Sequence, residues 1–337
     1  MRVLPAAMGI GLALFFLGGA AFSDFSPSSA AEIPGSFFEK SRVTIAVTDS
    51  GLGGMGVLAD AAARMETAGI FEHANFVFFN ALFSNEGGYN ALPSTEEKVR
   101  VFDNALEALA RVVCPDLILI GCNTLSVIYP QTAFARKTEI PVLGIVEAGT
   151  TLMADALRSS PRASVIIFGT PTTVGEAAYQ KNLAAMGFEE ERIVAHACPD
   201  LEAFIEKDPS SDETSMLIAG YAVEALARLP ASSTPFSVSL NCTHYGLSLR
   251  AWEEAFAGEG DRFLGVLNPN ASMLDPLFPA VRAGRFPQTE VAVRVLSMVE
   301  ISAEKIAAVG RILERTSPAA ARALANYELK PGLFEFQ

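Results

Sequence analysis

Two of the four cysteines occupy matching positions in the chain. Cys122 and Cys242 each end a short apolar run and precede a hydroxyl-bearing residue that could open a helix. Small ligands bind open α/β sheets at the edge where strands end and helices begin, and the amino end of a helix favours a thiolate over a thiol. The pattern therefore indicates either two thiols that transfer protons across one shared cleft or two buried structural cysteines.

A glycine-rich turn follows the first predicted strand. Asp49 and Ser50 end that strand and lead into glycines at three of the next four positions. Glycine lets the backbone approach a ligand closely, and N–H groups at a helix start bind carboxylates or phosphates. The spacing matches neither a Walker motif nor a clean dinucleotide fingerprint. Asp49 is therefore interpreted as either a helix N-cap or a catalytic carboxylate.

One histidine lies close to the second thiol. His244 follows Cys242 by two residues, and it could donate to a ligand or assist proton transfer. The remaining histidines and cysteines lack such a setting: His73 and His196 are interpreted as structural or surface groups, and Cys114 and Cys198 as structural residues.

Short apolar runs alternate with segments of helix length along most of the chain. The predicted strands are 43–47, 75–79, 117–120, 142–146, 164–168, 193–195, 236–240 and 263–267. The predicted helices are 55–68, 94–113, 124–137, 174–186, 213–229 and 245–256, the second capped by Ser94 with Glu97 three residues later. Such alternation is typical of parallel sheets covered on both faces, and two rounds of it predict two similar halves.

Composition limits the class of partner. The chain has 337 residues, is 50% hydrophobic and carries a formal net charge of −13, so a nucleic-acid partner is not expected. The cysteines form no C-x-x-C pair of the kind that binds metal. Residues 289–325 show an amphipathic helical pattern, which predicts surface helices or, as the less favoured alternative, a partner or membrane contact.

The amino terminus resembles a leader. A short basic start, an apolar stretch over 6–22 and small residues before a polar segment predict a signal peptide or membrane anchor over 1–31, followed by a linker over 32–41 without regular structure. The protein is then expected to be periplasmic or exported, or membrane-anchored. If the leader is a start-codon artefact, the protein is cytoplasmic.

Several segments taken together resemble the glutamate racemases of the aspartate/glutamate racemase superfamily. They lie in order over about 43–300, and they are Asp49-Ser50-Gly51-Leu52-Gly53-Gly54, Cys122-Asn123-Thr124, Gly144-Ile145-Val146-Glu147-Ala148, Cys198-Pro199 with Ile205-Glu206, and Cys242-Thr243-His244-Tyr245. The resemblance implies two pseudo-symmetric parallel-sheet α/β domains with the active site in the cleft between them. It places domain A at 42–147 plus 267–300, domain B at 148–266 and a C-terminal helical extension at 301–337.

The resemblance also implies the chemistry. Cys122 and Cys242 would be the two bases that flank the substrate α-carbon, with neither a cofactor nor a metal. Asp49 would assist Cys122, while His244 and Glu206 would assist Cys242. Groups that would bind the amino acid are Ser50, Tyr89, Asn123, Thr124 and Thr243. We expect both thiols to be free, accessible and of low pKa, because a thiolate acts as a base when its pKa lies near the working pH.

The implied function is interconversion of L- and D-glutamate to supply a D-amino acid for peptidoglycan. Three segments depart from the family pattern: Gly88-Tyr89-Asn90 stands where the family has Pro-Tyr-Gly, Leu125 replaces a small residue, and Gly246 replaces a proline. Two alternatives therefore stay open, namely another small acidic amino acid as substrate and a non-catalytic exported binding protein. A homodimer and membrane association through the leader are also left open.

Overall fold

The computed structural model describes residues 33–230 and 234–336. The leader that we predict over residues 1–31 lies outside these ranges. Among the helices that are described, none has both the length and the apolar character that crossing a bilayer requires.

The described part of the chain alternates between strands and helices. In chain order its strands are β1 (Arg42–Asp49), β2 (His73–Asn80), β3 (Leu117–Ile120), β4 (Val142–Gly144), β5 (Ser164–Gly169), β6 (Ile193–Ala197), β7 (Phe236–Asn241), β8 (Phe263–Leu267), β9 (Glu290–Ser297) and β10 (Glu328–Leu329). Its α-helices are α1 (Gly35–Glu39), α2 (Gly54–Ala68), α3 (Thr95–Val113), α4 (Asn123–Ile128), α5 (Ala133–Lys137), α6 (Ile145–Ser159), α7 (Pro171–Glu176), α8 (Ala178–Ala185), α9 (Leu201–Lys207), α10 (Asp212–Leu226), α11 (Leu249–Phe256), α12 (Pro269–Ser272), α13 (Ala303–Thr316) and α14 (Pro318–Ala325).

The first sheet is parallel, with strand order β10-β9-β2-β1-β3-β4. Side chains alternate across a strand, so Ile45 and Val47 of β1 enter one core cluster and Ala46 enters the cluster on the opposite face. Because both faces are covered, the strands are almost continuously apolar, as the sequence pattern predicts for parallel sheets.

The second sheet is also parallel, with strand order β6-β5-β7-β8. Val165 and Ile167 of β5 pack in the same core cluster as Ile118 and Ile120 of β3, so a shared core lies between the two sheets. The prediction of two α/β halves with parallel sheets is confirmed.

The predicted helix at the start of 289–325 is wrong. Residues Glu290–Ser297 form β9, which pairs with β2 along its whole length and with β10 on its other side. The remaining part is helical, as α13 and α14. Valines at every second position, 291, 293 and 295, fit a strand period, and a short apolar run of this kind is ambiguous until its partner strand is known.

The segment before β1 is also more regular than predicted. Residues 33–41, the described part of the predicted linker, include α1, whose Phe37 and Phe38 are buried. The ring of Phe37 packs edge-on against Phe71 at 5.3 Å between centroids. Burial of these aromatic rings therefore joins the segment to the first unit, which is the half of the molecule built on the first sheet. The polar residues around the two phenylalanines hide this helix in the sequence.

Several predicted element bounds need correction. Strand 142–146 ends at Gly144, because α6 begins at Ile145. The predicted helix 124–137 is interrupted by a 3₁₀ turn at Tyr129–Gln131, which contains a proline. The predicted helix 245–256 begins as a 3₁₀ segment, Thr243–Ser248. Ser94 does cap α3, since its hydroxyl accepts from the Glu97 N–H at 3.2 Å.

Candidate active site

The two matching cysteines meet in one cavity. Cys122 follows β3 at the start of α4, and Cys242 follows β7 at the start of the 3₁₀ segment Thr243–Ser248. Both are buried, neither is in a disulfide, and both line a cavity of about 480 Å³ between the two sheets. The prediction that these thiols remain free is confirmed.

Both thiols are harder to ionise than their positions at helix starts suggest. Burial raises the pKa of Cys122, and the Asp49 carboxylate raises it further, while Ser50 only partly offsets the rise. Burial likewise raises the pKa of Cys242, with further contributions from Glu202 and Asp49. The expectation of accessible thiols of low pKa is therefore wrong for this cavity, because loss of water outweighs the helix-start N–H groups.

Asp49 and Ser50 lie beside the first thiol. The Ser50 hydroxyl is 3.2 Å from Cys122 Sγ, and Thr243 from the second unit donates to Asp49 Oδ2 at 2.8 Å. Burial raises the pKa of Asp49, although the charge of His244 and hydrogen bonds from Thr243 and Cys122 oppose the rise. Asp49 Oδ1 has no hydrogen-bond partner among the described residues and can accept from a ligand.

A chain of polar groups continues from the second thiol. His244 Nδ1 is 3.6 Å from Cys242 Sγ, and His244 Nε2 is 2.8 Å from Glu206 Oε1. Glu206 also accepts from the Leu52 N–H at 2.8 Å and from Lys305 Nζ at 2.6 Å. Burial opposes ionisation of Glu206, but His244 and Lys305 outweigh it and lower its pKa to about 2. Burial opposes protonation of His244, yet Glu206 outweighs burial and raises its pKa.

The glycine-rich turn allows the two units to touch. A Cβ on Gly51 would lie 2.7 Å from Glu206 Oε1, and one on Gly53 would lie 2.5 Å from Thr243 Oγ1 and 2.6 Å from His244 Nδ1. Both positions therefore exclude a side chain. The turn after Asp49, which the sequence suggests could approach a ligand, therefore also packs against the segment that follows β7.

Asn123 and Thr124 line the cavity beside Cys122. The Tyr179 hydroxyl donates to Asn123 Oδ1, while Asn123 Nδ2 has no partner among the described residues. Thr124 shares a hydrogen bond of 2.8 Å with Thr170, which caps α7 in the second unit. Asn123 Nδ2 is consequently a donor that a ligand carboxylate can use.

Tyr89 and Asn90 lie on the loop that departs from the family pattern. Tyr89 is buried against the cavity, and its hydroxyl has no partner among the described residues. Asn90 donates to Glu202 at 3.1 Å and accepts from Thr172 at 2.7 Å, so the loop is tied to the second unit at two points. This loop forms one wall of the cavity.

Every predicted site residue except Ser50 is buried, and all of them line this cavity. Sequence reasoning missed Glu202, Tyr179 and Lys305, and it identified Asn90 only as a departure from the family pattern. Glu202 lies one helical turn before Glu206, a spacing that could have revealed it; Lys305 has no local signal. Within 33–230 and 234–336, no group of three histidine, cysteine or acidic residues is arranged to hold a metal ion.

Comparison with known proteins agrees with these observations. The pattern of the Asp/Glu/hydantoin racemase family matches residues 79–260, more than half of the chain. A glutamate racemase from Streptococcus gordonii is 27% identical over 203 residues, which are 60% of this chain and 69% of that protein. A glutamate racemase from Aquifex pyrophilus is 30% identical over 133 residues, covering 39% and 47% respectively.

Solved structures extend the similarity to the whole fold. A glutamate racemase from Bacillus anthracis superposes with a TM-score of 0.59 at 19% identity, covering 86% of this chain and 96% of that one. A glutamate racemase from Francisella tularensis, solved with D-glutamate, gives a TM-score of 0.60 at 17% identity and covers 86% and 95%. At these identities the superpositions establish the fold, and the sequence match establishes the relationship that the signature segments indicated.

Proposed function

The chain belongs to the Asp/Glu/hydantoin racemase family, and from this premise we propose that it racemises an amino acid with Cys122 and Cys242 as its two bases. The observation that carries the proposal is the pair of free thiols, each at the end of a matching strand and both lining one cavity. Thiols on opposite sides of a bound α-carbon suit an inversion, which needs proton removal on one face and proton delivery on the other.

In the proposed reaction, the thiolate of one cysteine removes the α-proton and becomes a thiol. The electron pair left on the α-carbon then takes a proton from the other cysteine, which becomes the thiolate. Asp49 acts beside Cys122, and His244 with Glu206 acts beside Cys242. The free Asn123 Nδ2 donates to the substrate carboxylate, and Ser50, Thr124, Thr243 and Tyr89 complete the binding site.

The raised pKa of each thiol is compatible with this scheme because the substrate supplies a positive charge. An amino acid brings an ammonium group into the cavity, and a positive charge within a few ångströms favours a thiolate. The free Asp49 Oδ1 is an acceptor available to that ammonium. We therefore propose that substrate binding itself makes the thiols competent, while they remain protonated in the empty cavity.

The test is α-proton exchange. The full chain is incubated in heavy water with separate L- and D-amino acids, and deuterium at the α-carbon and the enantiomer ratio are followed by NMR and chiral chromatography. We expect exchange with inversion in the wild type and loss of inversion in Cys122→Ser and Cys242→Ser. Cys114→Ser, an exposed thiol outside the cavity, is the matched control. Near wild-type inversion by either cavity variant contradicts the two-thiol scheme.

Glutamate is the substrate that we propose, with D-glutamate supplied for peptidoglycan. The support is that the curated relatives cited above are named glutamate racemases. The same amino-acid panel distinguishes glutamate from another acidic amino acid. Binding of glutamate by calorimetry without exchange of any amino acid identifies instead a binding protein that has kept the cavity.

We also propose that residues 1–31 export the protein or anchor it in a membrane. The support is the basic start and apolar stretch of the sequence. Cell fractionation, combined with mass spectrometry of the amino terminus, tests it. A full-length chain in the soluble cytoplasm would overturn the proposal and leave the chemistry unaffected.

A further inference from the structure

We propose that Lys305, in the first turn of α13, is a positioning residue of the active site that supplies the positive charge needed beside Cys242. The inference rests on the proposed two-thiol function. Lys305 lies 99 residues after Glu206 in the chain, in the region predicted to be a C-terminal extension, yet its Nζ is 2.6 Å from Glu206 Oε2. It also lines the cavity.

The geometry connects Lys305 to the thiol through two groups. Lys305 Nζ contacts one oxygen of Glu206, the other oxygen is 2.8 Å from His244 Nε2, and His244 Nδ1 is 3.6 Å from Cys242 Sγ. The Leu52 N–H also donates to Glu206 Oε1. The carboxylate is thus held on both oxygens, and its orientation determines how the imidazole faces Cys242.

The charges explain why a lysine is needed here. Without Lys305, a protonated His244 and an ionised Glu206 form a pair of no net charge. With Lys305, the three groups carry one net positive charge next to a buried thiol. Glu202, Asp49 and Cys122 oppose the ionisation of Cys242, whereas the His244 backbone N–H favours it. A buried thiolate needs compensating positive charge, and the Lys305 cluster adds to the charge that the substrate ammonium brings.

The location of α13 supports a role in the assembled site. This helix packs against α2 of the first unit and α9 of the second, so it bridges the two halves next to the cavity. Ser302 caps it and accepts from the Lys305 N–H at 3.3 Å, which fixes the first turn from which the lysine side chain extends. The Lys305 side chain is 37% exposed and the Glu206 side chain 7%, so the ion pair is shielded on the carboxylate side.

The variant Lys305→Met keeps the length of the side chain and removes its charge. Loss of a positive charge raises the pKa of both Cys242 and His244. We expect a shift of about one pKa unit, which corresponds to about a tenfold lower fraction of Cys242 thiolate at neutral pH. Lys305→Arg should restore the wild-type behaviour. Arg311→Met removes an exposed charge from the same helix, outside the cavity, and should change nothing.

Isotope effects show which of the two thiols the Lys305 variant affects. Because enantiomers have equal free energies, kcat/KM must fall equally in both directions, so rates alone do not identify the affected base. With α-deuterated L and D substrate, slowing the Cys242 step raises the primary isotope effect for the enantiomer deprotonated by Cys242 and lowers it for the other. We expect this divergence in Lys305→Met and its loss in Lys305→Arg. Parallel changes for both enantiomers would indicate a merely structural role and overturn the proposal.

Two measurements test Lys305 without relying on turnover. The first is the pH dependence of Cys242 alkylation by iodoacetamide in a Cys114→Ser background, followed by mass spectrometry. The second is the NMR titration of His244, identified by loss of its signal in His244→Gln. Unchanged alkylation and titration in Lys305→Met overturn the inference. If the wild type exchanges no amino acid, the proposed function fails, while these two measurements still decide the role of Lys305.

Discussion

Gly53 lies at a close approach between the two units. The position that its Cβ would occupy is 2.7 Å from the His244 backbone nitrogen as well as close to the His244 ring and the Thr243 hydroxyl. Backbone cannot move aside as a flexible side-chain end can, so any side chain at position 53 must push the segment after Cys242 away from β1. The absence of a side chain here sets the width of the cleft.

We expect Gly53→Ala to separate the two thiols slightly. Overpacking of this kind should lower the free energy of unfolding by about 1–3 kcal/mol, and misplacement of reacting groups by about 1 Å should reduce racemisation about a hundredfold. Denaturant unfolding and the exchange assay measure the two effects. Gly56→Ala on α2 is the control, since its Cβ would meet only Leu247 at 3.7 Å; equal losses in both variants would contradict the argument.

Glu206 should make the free energy of unfolding depend on pH. Its carboxyl ionises more readily in the folded protein, where the pKa is about 2, than at the ordinary value of 4.5. Its contribution is therefore complete above pH 4.5 and is lost as pH falls towards 2, and it amounts to roughly 3 kcal/mol. Urea unfolding of wild type and Glu206→Gln should show the largest difference near neutral pH and a shrinking one below pH 4.5. If the difference in unfolding free energy between the two proteins stays constant with pH, it does not come from the ionisation of Glu206.

At the scale of elements, α1 shows how a short aromatic segment completes a core. Its five residues supply Phe37 and Phe38, which pack with Phe71 next to the first sheet. Arg285 donates to the Phe38 carbonyl and stacks over Phe286, which ties α1 to the segment before β9. The helix is therefore part of the first unit rather than a spacer.

Phe37→Ala tests this assignment. Removal of a buried phenylalanine leaves a cavity and should cost about 3–5 kcal/mol of unfolding free energy. Phe204→Ala is the matched control because that ring is 39% exposed, and it should change stability by about 0.5 kcal/mol or less. Circular dichroism during urea unfolding compares them. Equal stability of the two variants would mean that residues 33–41 do not contribute to the core.

At the scale of the whole molecule, contacts between the two halves surround the cavity, which is partly open to solvent. Asn90 and Thr172 join across the cleft, as do Thr124 and Thr170 and also Leu52 and Glu206. Cys122 and Cys242 are only 4% and 6% exposed behind these contacts. These contacts therefore join the two halves on which the two thiols lie.

The burial of Cys122 and Cys242 predicts how the thiols react. All four cysteines are free, Cys114 is exposed and the other three are buried. With a thiol reagent at neutral pH, we expect one fast reaction in the native protein, at Cys114, and reaction at all four in denaturant. Cys114→Ser should abolish the fast phase. Labelling of Cys122 or Cys242 at the Cys114 rate would contradict the burial of these two thiols.

Features that depend on neighbouring residues could be predicted from the amino-acid sequence alone. The strand–thiol–helix pattern at Cys122 and Cys242, the cap at Ser94 and the glycine turn after Asp49 are local, since side-chain periodicity, capping and turn geometry act within a few residues. The order of the signature segments determined the family, and the alternation of strands and helices determined the two parallel sheets.

Features that join distant segments could not be predicted in this way, because they depend on how the chain folds. The strand β9 depends on pairing with β2, α1 on the ring of Phe71, and the charge beside Cys242 on Lys305 reaching back to Glu206. The ionisation of the thiols was decided in the same way. The N–H groups at a helix start favour a thiolate, but burial between the two domains removes water from the thiol and raises its pKa. A short stretch of sequence contains no information about that burial.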